Sequence, residues 1–269
     1  MKNKEKRRRI KTGIVILLLL AAWQVASMSG IWSAYVLPSP AKTGRALWVM
    51  IENGVLFQHI MVSFKRVLEG FTIAFALAFI GGVIAYGIPS LEEFYGDVLE
   101  FMRNVPPISL IALLILWFGI GEVSKIIIIV LASFFPMYLN ISKGFVSTDH
   151  KLLEVGSVFG LNRWETFYRI VLPAAIPDIL VGMRVGLGYS WRAIIGAEMI
   201  AASKGLGYLI LDAQQMSRSD KVIAGIITIG LVGILSDWLF KLLITKVIRR
   251  EMTGRALPNR ENEAVNTGR

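Results

Sequence analysis

Long apolar segments recur along this chain, and they constrain its fold more than any other feature of the sequence. About 20 apolar residues in an α-helix cross the hydrocarbon core of a bilayer. Hydrophobic residues make up 55% of the 269 residues and the mean hydropathy is +0.61, values typical of an integral membrane protein. The predicted spans cover residues 12–28, 71–88, 99–119, 123–141, 177–200 and 222–243. We therefore predict an all-α integral membrane protein with about six transmembrane helices.

The positive charges predict how these spans are oriented. Much of the net charge of +10 lies in the first eleven residues and beyond Lys241, next to the first and last spans. Basic residues beside a span are retained in the cytoplasm, and an even number of spans puts both termini on one side. Both termini are therefore predicted to be cytoplasmic, and a membrane location explains the charge better than a nucleic-acid site. The cationic start followed by an apolar run also resembles a signal peptide, but the later spans favour a retained first helix.

This orientation predicts the organisation of the chain. Residues 1–11 form a basic cytoplasmic N-terminus, 12–248 a single transmembrane domain, and 249–269 a flexible polar cytoplasmic tail. Of the connections, residues 29–70, 120–122 and 201–221 are predicted to be external, and 89–98 and 142–176 internal.

The third predicted span is irregular. It carries Arg103, Asn104, Pro106 and Pro107 within or beside the membrane. Paired prolines remove backbone donors and break the helical hydrogen-bond ladder. Broken helices often line transport pathways, but a kink packed against its neighbours has the same signature. Both interpretations stay open.

A patterned stretch, residues 149–173, interrupts the apolar segments. Asp149 is a plausible N-cap for a short helix that ends at Gly160, a residue suited to a left-handed cap. Asn162 then begins a second helix with Glu165 at the capping-box position, and Pro173 is predicted to end it. The apolar positions of the two helices are Leu152, Gly156 and Phe159, then Trp164, Phe167, Tyr168 and Val171. The pattern predicts either a compact cytoplasmic knob or an amphipathic hairpin on the membrane surface.

The spacing within this segment resembles the E-A-A, G, I, L-P motif of bacterial ABC importer permeases. Glu154, Gly160, Ile170, Leu172 and Pro173 occupy the motif positions, whereas Val155 and Gly156 replace its two alanines. The stretches "YVLPSPAKTGRAL", "VPPISLIALLILWFGIGEVSKI" and "GMRVGLGYSWRAIIGAEMIAASKGLGYLI" extend the resemblance to the nitrate, taurine and aliphatic sulfonate branch of that family.

The resemblance implies a function that this chain performs with other subunits. It implies the type I permease fold in the bacterial inner membrane, a permease homodimer, ATPase subunits that bind ATP and Mg, and an external solute-binding protein. The 149–173 segment would be the coupling helix that docks on the ATPase. The residues implied to couple are Glu154, Gly156, Gly160, Leu161, Trp164 and Pro173. The implied substrate is a small anion, with taurine or an alkanesulfonate as our prediction and nitrate, a pyrimidine vitamin precursor or a flavin as the alternatives.

Several kinds of site are not indicated by the sequence. No Gly-Lys pair occurs, so the phosphate-binding loop of an ATPase is missing from this chain. H-E-x-x-H and G-x-S-x-G motifs are absent, His59 and His150 are far apart, and there is no cysteine. We therefore predict no catalytic residues, no metal and no cofactor on this chain.

Charged residues in or near the fifth span point to a polar environment there. They are Asp178, Arg184, Arg192 and Glu198. Because a charge within the membrane must be paired or hydrated, the two arginines either attract an anion or pair with acidic neighbours, and pairing is the simpler account. The resemblance assigns Arg184 and Glu198 to architecture and leaves Arg192 as the better pathway candidate. The predicted pathway residues are Pro106, Pro107, Arg192 and Glu198. Asp237 is predicted to lie at the membrane–water interface, near the inner end of the last span.

An alternative function is that of an ion-coupled secondary transporter working without an ATPase. Such a carrier needs no docking element and more often shows internal repeats, which this chain lacks. A membrane enzyme is a distant third, because no catalytic constellation is present.

Overall fold

The computed structural model describes residues 2–254, which form eleven α-helices and contain no β-strand. The helices are α1 (Lys2–Met28), α2 (Pro40–Glu52), α3 (Val55–Gly87), α4 (Ser90–Asn104), α5 (Ile111–Phe118), α6 (Glu122–Val146), α7 (His150–Val158), α8 (Arg163–Thr166), α9 (Leu172–Ala201), α10 (Leu206–Gln215) and α11 (Ser219–Gly254). The predicted all-α fold is confirmed. The predicted polar tail lies, from residue 255 onward, outside the described residues.

Five helical stretches in the described part of the chain are long and apolar enough to cross a membrane. They are Ile10–Met28, Val55–Gly87, Glu122–Val146, Arg163–Ala201 and Ser219–Thr245. A bent pair, Phe94–Asn104 and Pro107–Phe118, makes a sixth if it is counted as one span. The prediction of about six spans is therefore confirmed, and the irregular one is the third, as expected.

The third span is broken at its paired prolines. Val105 and Pro106 adopt extended backbone conformations, and Pro107 begins a 3₁₀ turn that leads into α5. The two helical parts meet at an angle of 86°. Proline cannot donate to the helical ladder and clashes with the preceding turn, so the chain changes direction here.

Helix α3 begins much earlier than its predicted span. It starts at Val55 rather than at residue 71, so part of the predicted external connection is helical. The apolar run that predicts a span begins only at residue 71 because the first half of α3 carries polar residues. Ser63 and Arg66 are nevertheless buried, since each has hydrogen-bonding partners inside the bundle.

The centre of the bundle is α6, which packs between α3 and α9. Gly182 and Gly186 of α9 face Met137 of α6, and a Cβ on Gly186 would overlap the Met137 side chain. The two glycines therefore let the backbones of α6 and α9 approach closely. Buried side chains form one cluster around Ile128, near α10, and a second around Phe145, near α7 and α8.

The helix that begins at α8 does not end at Pro173. A π-helical turn, Phe167–Val171, joins α8 to α9 without a break, so the predicted helix end at Pro173 and the predicted span start at residue 177 are both wrong. The Leu172 N–H bonds to the Phe167 oxygen, five residues back. This wider turn admits Pro173, which has no N–H to donate, at the first turn of α9. The predicted second helix is therefore continuous with the membrane span.

Candidate functional site

The 149–173 segment begins with a capped helix and a left-handed turn. The Asp149 carboxylate accepts a hydrogen bond from the Lys151 N–H at 3.0 Å, so Asp149 is the N-cap of α7. Gly160 has a φ of +69°, and the following Leu161 N–H donates to the Gly156 oxygen at 3.0 Å. Both local predictions, the N-cap and the left-handed glycine, are confirmed.

A capping box starts the second helix of the segment. The Asn162 side chain accepts from the Glu165 N–H at 2.9 Å, and the Glu165 carboxylate accepts from the Asn162 N–H at 3.0 Å. The reciprocal pair satisfies two of the donors that a helix start leaves free. The predicted capping box is confirmed.

Gly156 is the point where α7 contacts the π-helical turn. A Cβ added to Gly156 would lie 2.7 Å from Cδ1 of Ile170. At this glycine, where the resembling motif has alanine, the Ile170 side chain therefore packs directly on the α7 backbone. The contact also joins two positions of the resembling motif, those of Gly156 and Ile170.

The apolar positions of the segment divide between a buried and an exposed face. Phe167 and Val171 are buried, whereas Trp164 is 67% exposed and stacks on the exposed Tyr168. The four apolar positions that the sequence places in the second helix therefore do not share one buried face. On α7 only Gly156 is buried.

Four residues of this segment, Glu154, Val158, Phe159 and Trp164, are exposed, and we call them the docking face. Val158 and Phe159 are 85% and 78% exposed. Glu154 is exposed and makes no hydrogen bond or ion pair within residues 2–254. The face thus combines large apolar side chains with a carboxylate that has no partner in the described part of this chain.

A further contact that the sequence did not reveal holds this segment to α3. Nη2 of Arg163 donates to the Gly87 backbone oxygen at 2.6 Å. Gly87 is the last residue of α3, where helix carbonyls lack intrahelical partners and the helix dipole favours a cation. The two residues are 76 positions apart, so no local pattern indicated the contact.

A buried ionic network lies at the other end of the bundle. The Glu198 side chain is fully buried and accepts from Ser63 Oγ at 2.8 Å, from Arg66 Nη1 at 2.8 Å and from the Gly207 N–H at 2.9 Å. Every oxygen of this carboxylate is therefore hydrogen-bonded, as a buried charge requires.

Arg66 connects this carboxylate to α6 and to the turn before α10. Its Nε and Nη2 donate to the two oxygens of Glu122 at 2.6 and 2.7 Å, and Nη1 also donates to the Lys204 backbone oxygen at 2.7 Å. Lys125 adds a 2.9 Å bond to Glu122. The positive charges of Arg66 and Lys125 thus equal the negative charges of Glu122 and Glu198 in number.

An open cleft of about 570 Å³ lies between α9 and α11. Its walls are formed by Arg184, Leu187, Gly188, Trp191, Arg192, Ile195, Ile229, Gly230, Gly233, Ile234, Ser236 and Asp237. Arg184 makes a bidentate ion pair with Asp237 at 2.6 and 2.7 Å, which confirms that it pairs with an acidic neighbour. Arg192 instead makes a cation–π contact, with its Cζ 5.6 Å from the centre of the Tyr189 ring.

The structure does not bring the four predicted pathway residues together. Arg192 lines the α9–α11 cleft, and so does Arg184. Pro106 and Pro107 lie at the break after α4, and Glu198 lies inside the ionic network, so none of these three lines the cleft. Within residues 2–254 no group of three or more acidic or histidine side chains is placed to hold a metal ion.

Comparisons with known proteins agree with this architecture. The family model described as "Binding-protein-dependent transport system inner membrane component" matches residues 78–249. A Bacillus subtilis protein named an aliphatic sulfonates transport permease, SsuC, is 40% identical over 86% of this chain and 84% of its own length. The Escherichia coli protein named the taurine transport system permease, TauC, is 32% identical over 85% of this chain and 84% of its own length.

Solved structures show the same fold at low sequence identity. A chain of the inward-facing MetNI methionine ABC transporter has a TM-score of 0.59 at 14% identity, over 70% of this chain and 95% of that one. A chain of an amino acid ABC transporter solved with histidines has a TM-score of 0.62 at 15% identity, over 76% of this chain and 97% of that one.

Proposed function

This chain belongs to the binding-protein-dependent transport system inner membrane component family, in its sulfonate and taurine branch, and from this we propose that it forms the translocation pathway for a small organic sulfonate. An external binding protein delivers the substrate. ATP and Mg bind to a separate ATPase subunit, and this chain holds no cofactor.

The docking face is the observation that supports coupling to an ATPase. A large apolar surface around a carboxylate without an internal partner suits contact with another protein. In this proposal Glu154 and Trp164 touch the ATPase, while Gly156, Gly160 and Leu161 hold the turn that presents them. Pro173 starts the helix that carries the segment into the membrane.

The proposal places the protein in the bacterial inner membrane with both termini cytoplasmic. The 149–173 segment then also faces the cytoplasm, as an ATPase contact requires. Two copies of the chain form the pathway between them, and the ionic network around Glu198 lies at the external side.

The substrate assignment is supported by the names of the relatives. SsuC of Bacillus subtilis and TauC of Escherichia coli are named for aliphatic sulfonates and taurine. Arg192, which has no acidic partner among the described residues, adds a cation for the sulfonate group. Arg192 is therefore the proposed pathway residue with the strongest support, and Pro106, Pro107 and Glu198 stay proposals without contact to the cleft.

The test is reconstitution of the permease with a candidate ATPase and a candidate binding protein from the same organism. We expect both proteins to assemble with the permease, and radiolabelled taurine or alkanesulfonate to accumulate only with ATP. Uptake by the permease alone, driven by an ion gradient, would support the secondary transporter instead.

A further inference from the structure

The charges in the α9–α11 cleft do not balance. Arg184 and Asp237 neutralise each other through their bidentate pair. Arg192 has no carboxylate partner among the described residues, and its guanidinium lies over the ring of Tyr189. The cleft therefore carries one excess positive charge, and its remaining walls are mainly apolar.

Three glycines on the cleft walls have no packing role in this chain. A Cβ added to Gly188, Gly230 or Gly233 would meet nothing within 4 Å. By contrast, Gly182 and Gly186 on the same helix as Gly188 lie directly against α6. Glycine is among the weakest helix formers, so packing and propensity leave these three residues unexplained. Their effect is to keep the cleft wide.

An excess cation in an apolar cleft selects a particular kind of ligand. The exposed charge of Arg192 attracts an anion into the open cleft, and added salt weakens that attraction. The apolar walls favour a hydrocarbon group on the same molecule. An organic anion with an alkyl chain meets both conditions, whereas a simple inorganic anion uses only the first.

We propose that this cleft is a binding site for an alkanesulfonate in transit, with the sulfonate at Arg192 and the alkyl chain along Ile195, Ile229 and Ile234. The choice of sulfonate rests on the proposed function. A planar guanidinium donates hydrogen bonds in parallel to two oxygens of one oxyanion, which suits a sulfonate group.

A single thiol placed in the cleft tests the proposal, because the chain contains no cysteine. Gly233→Cys is reacted, in the full chain in proteoliposomes without ATP, with 2-sulfonatoethyl methanethiosulfonate and with its trimethylammonium analogue. Rates are normalised to those of free cysteine. We expect the anionic reagent to react at least about tenfold faster, and hexanesulfonate to slow it in a concentration-dependent way.

Arginine variants in the same background identify the cation responsible. Arg192→Ala should abolish both the preference for the anionic reagent and the protection by hexanesulfonate. Arg169→Ala removes an exposed guanidinium outside the cleft and should leave both unchanged. Gly188→Cys, on the opposite wall, repeats the measurement if Gly233→Cys does not accumulate in the membrane.

Three outcomes would overturn the inference. Equal normalised rates for the two reagents would show no anion preference, and a lack of protection would show no sulfonate binding. A thiol that reacts with neither reagent would show that a second copy or lipid covers the cleft. Because the labelling uses neither ATP nor a partner, these failures leave the importer assignment standing. A permease that never assembles with an ATPase would overturn that assignment and not the labelling result.

Discussion

Arg163 of α8 and Gly87 at the end of α3 are joined by a 2.6 Å hydrogen bond, so the docking face is held by a second helix besides its own. If this segment transmits motion between the ATPase and the membrane, the bond passes part of that motion to α3. Coupling should then depend on a residue outside the signature motif.

We expect Arg163→Ala to raise the number of ATP molecules hydrolysed per sulfonate transported, with normal membrane levels. The lost bond is exposed, so the free energy of unfolding should fall by no more than about 1 kcal/mol. Arg163→Lys should restore part of the coupling. Lys65→Ala, which removes an exposed pair with Glu69 outside the 149–173 segment, is the control and should transport normally. A wild-type ratio of ATP to substrate in Arg163→Ala would contradict the prediction.

Gly160→Val should weaken co-purification of the ATPase. The left-handed conformation at φ +69° strains a β-branched residue by about 1–2 kcal/mol, and relief of that strain would turn the docking face. Gly160→Asn is the matched control, since asparagine tolerates this conformation, and it should retain the ATPase. Equal ATPase recovery from both variants would remove the turn from the coupling mechanism.

Glu154→Lys should leave the permease folded and in the membrane but lower its affinity for the ATPase. The side chain has no partner within the described residues, so its charge is free to act between subunits. Glu154→Gln should have a smaller effect, and Lys151→Glu, one turn earlier on the exposed surface, should have little. Binding of the purified ATPase to detergent-solubilised permease measures the difference, and unchanged binding by Glu154→Lys would argue against the contact.

The ionic network at the opposite end should govern stability. Glu198→Ala leaves Arg66 with one carboxylate instead of two, and we expect a loss of about 3–5 kcal/mol because a buried charge is left incompletely paired. Ser63→Ala should cost about 1 kcal/mol.

Thermal unfolding in detergent, followed by tryptophan fluorescence, measures these losses. The double variant Arg66→Met with Glu198→Met should lose less stability than Arg66→Met and Glu198→Met lose in total as single variants. The reason is that the two residues contact each other directly. Lys65→Ala, on the exposed side of α3, is the control and should shift stability by less than about 0.5 kcal/mol. Additive losses would mean that the two residues act independently.

Reporter fusions test the orientation on which the proposed function depends. Fusions after Asp149 and Arg250 should report the cytoplasm, and insertions near Lys42 and Ser217 should report the external side. An external signal at Asp149 would separate the docking face from any cytoplasmic ATPase.

Local signals in the sequence predicted local structure well. Asp149, Gly160 and the capping box of Asn162 and Glu165 were identified because each depends on residues within one turn. The class of fold was equally predictable, since apolar length alone indicates a membrane span.

The contacts that join distant segments could not be predicted in the same way. Ser63 and Arg66 lower the hydropathy of α3, so their burial became visible only once Glu198, more than 130 positions away, was placed beside them. Asp237 was assigned to the membrane–water interface because its ion-pair partner, Arg184, lies 53 positions earlier and no local pattern connects the two. The π-helical turn was missed because Pro173 in isolation favours a helix end.

The unbroken helical stretch Arg163–Ala201 makes the two ends of the molecule mechanically dependent. Its 39 residues form a rod of roughly 58 Å at 1.5 Å per residue, with the docking face at one end and Glu198 near the other. A tilt of about 5° would displace one end relative to the other by roughly 5 Å over this length. Because one flank of the rod is also a wall of the α9–α11 cleft, the same tilt would alter the width of the cleft. If the proposed coupling holds, this stretch transmits motion from the docking face to the cleft as a lever does.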